Sequence, residues 1–359
     1  MKKKNLLNNL ILFIPILVLI IISLFNMIKC GNIYKMYDGY FFKQTIWFIL
    51  GFIIMGIIYF LKPKRLFKYS KYFYIINIIL LILVLFFGKS INGSRAWFNL
   101  RFFSFQPSEL MKFTLTLYLA DVASKSRYNK FRDELKFLVK IGIITLIPSI
   151  LVFLEPDTGA IIIYLLIILG VIVVSKISKK WYIIIFLGLA ILIGGFLYLY
   201  YFNKDLLIKI MGTSFFYRMD RILTFVNKDS FQLDRALIAI GNSGILGKGN
   251  IIYVPEAPTD FVIALSISNF GIISFIAILL CFIILDGYFL VRLLKLKDLK
   301  HKMFFAGFLT MFIFAQIENI GMNLGLLPII GLPLPFVSYG GTNIIVYFMF
   351  LGVLNSIKN

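Results

Sequence analysis

Long apolar runs constrain this chain more than any other feature of its sequence. Several of them reach about 20 residues, enough for a helix to cross a hydrocarbon core of ~30 Å. Within such a core every backbone N–H and C=O must be paired internally, which leaves only helices or a closed barrel. A barrel requires segments of ~10 residues with alternating polarity, whereas the runs here are continuous. Composition agrees, because 60% of the residues are hydrophobic and the mean hydropathy is +0.94. Soluble chains lie nearer ~45–50% apolar.

The expected architecture is therefore an all-α polytopic membrane protein with ten transmembrane helices. They are placed at 8–28, 44–61, 70–87, 108–123, 137–154, 158–175, 181–202, 259–291, 303–325 and 338–357. Residues 1–359 form a single membrane domain. Met1-Lys2-Lys3-Lys4 and the run behind it read as an uncleaved first helix, since no small-residue cleavage site follows. The one long connection is 203–258, and within it 205–223 mixes basic and apolar residues at helical spacing, as a helix lying in the membrane interface does. The 33 residues of 259–291 exceed a straight span, so this helix must tilt, bend near Gly271 or begin outside the hydrocarbon.

Ten spans place both termini on one side. The connections on that side hold 22 of the 37 basic residues and are the shorter ones, so both ends are expected in the cytoplasm of a cell bounded by this membrane. The net charge of +21 is then explained by orientation, without a nucleic-acid partner. The single histidine, His301, lies in a basic loop, and the two cysteines have no metal-ligand spacing. Chemistry must rest on carboxylates, Lys, Arg or hydroxyls.

Topology gathers the polar residues on the outer side. Val254-Pro255-Glu256-Ala257-Pro258-Thr259-Asp260-Phe261 puts two carboxylates where a loop enters an apolar helix. An ionisable group at that depth is costly and is a candidate for function; alternatively, Asp260 merely caps the helix that follows. Glu109 and Lys112 lie one turn apart, on one face of 108–123, and could be a neutralising pair. Glu155-Pro156-Asp157-Thr158-Gly159 reads as a capping turn or as part of a site. Asn92-Gly93-Ser94-Arg95-Ala96-Trp97 is a polar turn with an interfacial aromatic. Before the last helix, Ser338 can cap, and Gly340 and Gly341 would let an anion approach backbone N–H groups. Glu318 is 15 residues into its helix, about 22 Å deep, in the same outer half. Carboxylates and cations on this side suit a substrate with a sugar, a diphosphate and a lipid tail, with Arg95 and Lys112 as diphosphate-holding cations.

In this order these residues resemble the SEDS family of bacterial cell-wall proteins, which includes RodA, FtsW and SpoVE. The resemblance covers nearly the whole chain. It rests on Asn92 to Trp97, Phe105-Gln106-Pro107-Ser108-Glu109 with Lys112, and Glu155 to Gly159. It continues through Ile238-Ala239-Ile240-Gly241 to Gly249, Pro255-Glu256 with Thr259-Asp260-Phe261, and Asn319 to Gly325. It ends with Gly331-Leu332-Pro333-Leu334-Pro335-Phe336 to Gly341, whose wording is RodA-like.

The resemblance implies a peptidoglycan glycosyltransferase that polymerises lipid II at the outer face of the cytoplasmic membrane, with a class B penicillin-binding protein as partner. It makes Asp260 the catalytic base. Arg95, Trp97, Glu109, Lys112, Asp157, Glu256, Ser338, Gly340 and Gly341 become candidate substrate-binding residues. A divalent ion such as Mg or Mn is a further candidate for stabilising the leaving diphosphate. The chain departs from the family at Pro258, where His is usual, and at Ser268-Asn269, where an acidic pair is usual. Those departures keep open a catalytically weak scaffold for a penicillin-binding protein; a lipid II flippase is a third reading.

Overall fold

The computed structural model describes residues 2–91, 94–100, 103–126, 130–213, 231–247 and 252–357. It is a helical bundle with one small sheet. Helices α1 (Lys2–Ile33), α2 (Tyr40–Leu61), α3 (Pro63–Lys68) and α4 (Ser70–Phe87) come first. Strands β1 (Lys89–Ile91), β2 (Ser94–Leu100) and β3 (Phe103–Phe105) follow. Next are α5 (Pro107–Ser124), α6 (Phe131–Leu154), α7 (Thr158–Val174), α8 (Lys179–Phe202), α9 (Lys204–Met211) and α10 (Phe231–Gly241). The chain ends with α11 (Val262–Phe270), α12 (Ile272–Lys295), α13 (Leu299–Asn323) and α14 (Gly341–Ser356). Among the described residues seven helices are long and apolar enough to cross a membrane, and α7 and α14 are shorter apolar helices. The protein is a multi-pass membrane protein.

Two expectations need correction, and a third is met only in part by described residues. The protein is not purely α: β1, β2 and β3 form a three-stranded antiparallel sheet in that order, with Lys89 opposite Trp97 and Phe98 opposite Phe105. The Asn92-Gly93 dipeptide between β-prone residues is a hairpin signal that a helical reading passes over. Of the expected interfacial helix at 205–223, α9 covers the start, and 214–230 lie outside the described residues. The expected span at 259–291 is two helices, because Gly271 has φ +75° and ends α11. A side chain at Gly271 would meet the Ile245 carbonyl oxygen at 2.0 Å. The 242–246 turn is pressed there because it supplies acceptors to the new helix: Ile272 N–H donates to the Gly244 carbonyl at 3.2 Å.

Polar residues, more than apolar ones, reveal which helix faces turn inward. On α1, Leu12, Ile16, Leu19, Ser23, Asn26 and Cys30 recur at alternating spacings of four and three and are all buried. Ile14, Leu17, Ile21 and Phe25 on the other side are exposed. Lipid does not penalise exposed apolar groups, so the cost falls on any polar group left facing it. The most polar helices are accordingly the central ones. α5 buries Glu109, Lys112, Thr114, Thr116 and Asp121, and α13 buries Gln316, Glu318, Asn319 and Asn323.

Candidate functional site

A cavity of about 620 Å³ lies where the first turns of α2, α5, α7 and α14 meet strand β2 and the turns at 255–261 and 330–333. Asp260 is on its wall, and the surrounding chain is built to hold that residue's backbone. Glu256, at φ +54°, bends the turn so that its carbonyl accepts from the N–H groups of Thr259, Asp260 and Phe261. Three successive carbonyls are then tied to other elements. Pro258 O accepts from Tyr339 N–H at 2.8 Å, and Thr259 O accepts from Ser338 Oγ at 2.6 Å. Asp260 O accepts from Asn319 Nδ2 at 2.8 Å and Asn323 Nδ2 at 3.0 Å. Asn319 and Asn323 can do this together because four residues on a helix share a face.

The Asp260 carboxyl is not a cap: α11 starts at Val262 with Phe261 at its N-cap position and no side-chain cap. It faces Gly331, where φ is +83° and where a Cβ would sit 3.1 Å from Oδ2. Gly331 is held there in part by Glu318, whose Oε1 accepts from Ile330 N–H at 3.1 Å. Burial, and secondarily the Glu256 charge, push the Asp260 carboxyl up to about 7. Such a group can exchange a proton near neutral pH.

The other predicted residues divide into those on the cavity and those behind it. Trp97, Glu109, Asp157, Glu256, Gly340 and Gly341 line it; Arg95, Lys112 and Ser338 do not. Arg95 is exposed on β2, two residues from Trp97. Lys112 is buried and its Nζ lies 2.6 Å from Glu109 Oε1, so its charge is spent on a carboxylate. Ser338 is buried and is not the cap of α14, which begins at Gly341; its Oγ accepts from Leu334 N–H and donates to Thr259 O. Gly341 is required by packing, since a Cβ there would meet the Trp47 ring at 2.2 Å. Asp157 both caps and lines: it accepts from Ala160 N–H at 3.1 Å and from Gln106 Nε2 and Ser108 Oγ at 3.0 Å each. Behind it, burial and the Asp157 charge raise the Glu155 carboxyl to about 9, so Glu155 is protonated at neutral pH.

Sequence reasoning missed the α2 wall, formed by Tyr40, Lys43 and Trp47. Lys43 is the one cation among the described residues lining the cavity, against four carboxylates. The available signal was its place in the outer connection at the very start of a span. The anchoring roles of Asn319 and Asn323 were also missed, although both lie in a motif that carries the resemblance.

Among the described residues no group of three or more His, Cys, Asp or Glu could hold a metal ion. Three of the four lining carboxylates already accept hydrogen bonds from protein groups. The site does not fit a resident metal cage. A magnesium-like ion held by one carboxylate and a ligand's phosphate oxygens is the arrangement these donors permit.

Known proteins match along the whole chain. The sequence signature shared by FtsW, RodA and SpoVE, described as "Cell cycle protein", matches residues 4–359. A probable peptidoglycan glycosyltransferase, FtsW of Coxiella burnetii, is 32% identical over 332 residues, 88% of this chain and 85% of the relative. The FtsW protein of Haemophilus influenzae is 31% identical over 340 residues, 88% of this chain and 81% of the relative. Among solved structures, a chain from a peptidoglycan synthase complex described for its coordination of polymerization and crosslinking has a TM-score of 0.78. The match has 25% identity and covers 96% of this chain and 97% of that one. The rod shape determining protein RodA of Thermus thermophilus shares the fold, with a TM-score of 0.67, 24% identity and coverage of 95% and 94%.

Proposed function

The chain belongs to the FtsW, RodA and SpoVE family, and from that premise we propose that it is a peptidoglycan glycosyltransferase that polymerises lipid II in the 620 Å³ cavity, with Asp260 as general base. The acceptor sugar's hydroxyl loses its proton to the Asp260 carboxylate as its oxygen bonds to the donor sugar's anomeric carbon. The bond from that carbon to the lipid diphosphate breaks, the electron pair leaves with the diphosphate, and the configuration inverts. Lys43 is the cavity's cation for that diphosphate, a role the sequence alone suggested for Arg95 and Lys112. Trp97 and Trp47 offer faces for sugar rings or the lipid stem. A divalent ion, Mg or Mn, would arrive with the donor's phosphates and neutralise part of their charge.

The observation that carries this reading is the Asp260 carboxyl itself. Its backbone is tied by two asparagines, its side chain faces the cavity, and its proton affinity is raised to about 7. The departures from the family pattern lie off the cavity. Asn269 Nδ2 donates to Asn26 Oδ1 at 2.8 Å in the α1–α11 contact, and Pro258 acts through its carbonyl. They favour an active enzyme over a scaffold.

The seven long apolar helices among the described residues, if joined by α5, α7 and α14, would make the ten crossings of this reading. Ten crossings and the basic-residue bias favour cytoplasmic termini and an outward cavity. A class B penicillin-binding protein is the proposed partner, by analogy with the synthase complex of similar fold. The deciding experiment is polymerisation of labelled lipid II by purified protein with that partner. Wild type should form glycan polymer and Asp260→Asn should not; wild-type yield from the variant would overturn the base assignment. Lipid movement in vesicles without polymer would instead favour a flippase.

A further inference from the structure

A second cavity, of about 750 Å³, lies at the opposite end of the bundle. The last residues of α2 and α14 line it, whereas the first residues of those helices line the Asp260 cavity. The 22 residues of α2 set the two about 33 Å apart. We propose that this second cavity binds the head group of an anionic phospholipid, its phosphate held by Lys62 and Lys64.

Charge is the first argument. Three lysines line the cavity with a single carboxylate, Asp298. Asp298 caps α13, accepting from His301 N–H at 2.9 Å. Lys300 pairs with Asp121 at 2.7 Å and lies over the Phe67 ring, so its position is fixed. Asp298 and Asp121 are thus committed to other groups, and the charges of Lys62 and Lys64 face the cavity without an ion-pair partner among the described residues.

Backbone geometry is the second argument. Lys62 has φ +63°, a conformation that L side chains rarely adopt, at the corner where α2 turns into α3. The turn could be made at less strain by glycine, yet the residue here is a lysine on the cavity wall. The first turn of α13 adds backbone N–H groups beside Lys300, at the end of a helix dipole that favours anions.

Surroundings select a lipid over a soluble anion. Tyr59 and Phe60 also line this cavity; Tyr59 is about half exposed and Phe60 is 79% exposed. They stand at the end of an apolar span, where acyl chains would run past them while the phosphate turns inward to the lysines. Basic pockets between spans take anionic head groups by this geometry.

Native mass spectrometry of the full-length protein, with phosphatidylglycerol and phosphatidylcholine offered together, tests this. Wild type should retain phosphatidylglycerol with a preference of about ten-fold or more, and Lys62→Asn/Lys64→Gln should reduce that preference to near unity. The control pair Lys71→Gln/Lys295→Gln, outside the cavity, should retain the preference. Equal loss in the control, or no loss in the cavity variant, would overturn the proposal. If Lys62→Asn impairs folding, Lys64→Glu alone places a carboxylate in the first turn of α3 and should expel the lipid; retention would sink the idea. Displacement by inorganic phosphate would assign the cavity to a free anion and likewise overturn the lipid assignment.

Discussion

At one end of α2, Tyr40, Lys43 and Trp47 face a cavity shared by four carboxylates; at the other, Tyr59, Phe60 and Lys62 face one with three lysines and one aspartate. The two are close in volume, at about 620 and 750 Å³. They differ in what has been done with the charges. In the first, Glu109 is committed to Lys112, Asp157 to three donors and Glu256 to Thr259. The carboxyl of Asp260 has no such donor among the described residues, and its proton affinity is raised. In the second, the carboxylates Asp298 and Asp121 are committed and two lysines remain. Each end leaves uncompensated the charge type its proposed ligand needs: a proton acceptor for a hydroxyl, and cations for a phosphate.

The largest expected effect separates activity from stability at the first end. Asp260→Asn should lower polymerisation by about 10²- to 10⁴-fold, the usual worth of a general base. Its melting temperature at pH 8 should equal or exceed wild type, because the variant has no half-buried carboxylate to ionise. A variant that loses activity and also melts well below wild type would mark Asp260 as a structural residue. Next is the cation. Lys43→Ala should cost about 10²-fold in polymerisation, as removal of one electrostatic stabiliser does. Lys71→Gln, an equal loss of charge at the other end, should cost nothing measurable. Equal losses would mean that overall charge, and not the cavity, sets the rate.

A smaller effect comes from the scaffold behind Asp260. Asn323→Ala removes one of the two donors to Asp260 O, leaving Asn319, and removes the acceptor of the buried Ala264 N–H. An unpaired buried group of that kind costs about 1–3 kcal/mol. We expect a lower melting temperature and about ten-fold slower polymerisation, with the substrate concentration for half-maximal rate little changed. Unchanged kinetics would show that Asn319 alone positions the aspartate.

These contrasts also explain what could be read beforehand. The helices were legible because continuous apolar runs allow little else, and the Gly271 break was foreseeable from a span of excessive length. The Glu109–Lys112 pair was legible because three residues apart on a helix is a local relation; the structure shows that this locality makes Lys112 a partner to Glu109 and keeps it off the cavity. Lys43 was not legible, since its place on the cavity that Asp260 lines depends on α2 meeting a turn more than 200 residues later. Strands β1 to β3 were hidden by an expectation of helices, although Asn92-Gly93 signalled a hairpin. Helix facing was legible only at polar positions such as Ser23 and Asn26, because lipid and protein interior are alike to an isoleucine.

The smallest expected effect is a shift along the pH axis. The Asp260 carboxyl is raised to about 7, first by burial and second by the Glu256 charge. The base form therefore appears, and activity rises, as pH increases through about 7. Stability runs the other way: this group's contribution is full below its ordinary value near 3.8 and is lost as pH rises through about 7. Glu256→Gln removes the lesser cause and keeps an amide oxygen to accept from Thr259 Oγ1. The acid limb of the polymerisation profile should move below that of wild type, with a gain of about two- to five-fold at pH 6 and none at pH 8. Burial persists in the variant, so the limb should stay above the range of an ordinary aspartate. A limb that does not move would show that solvent screens Glu256 from Asp260, and the contrast between the two ends would then rest on burial alone.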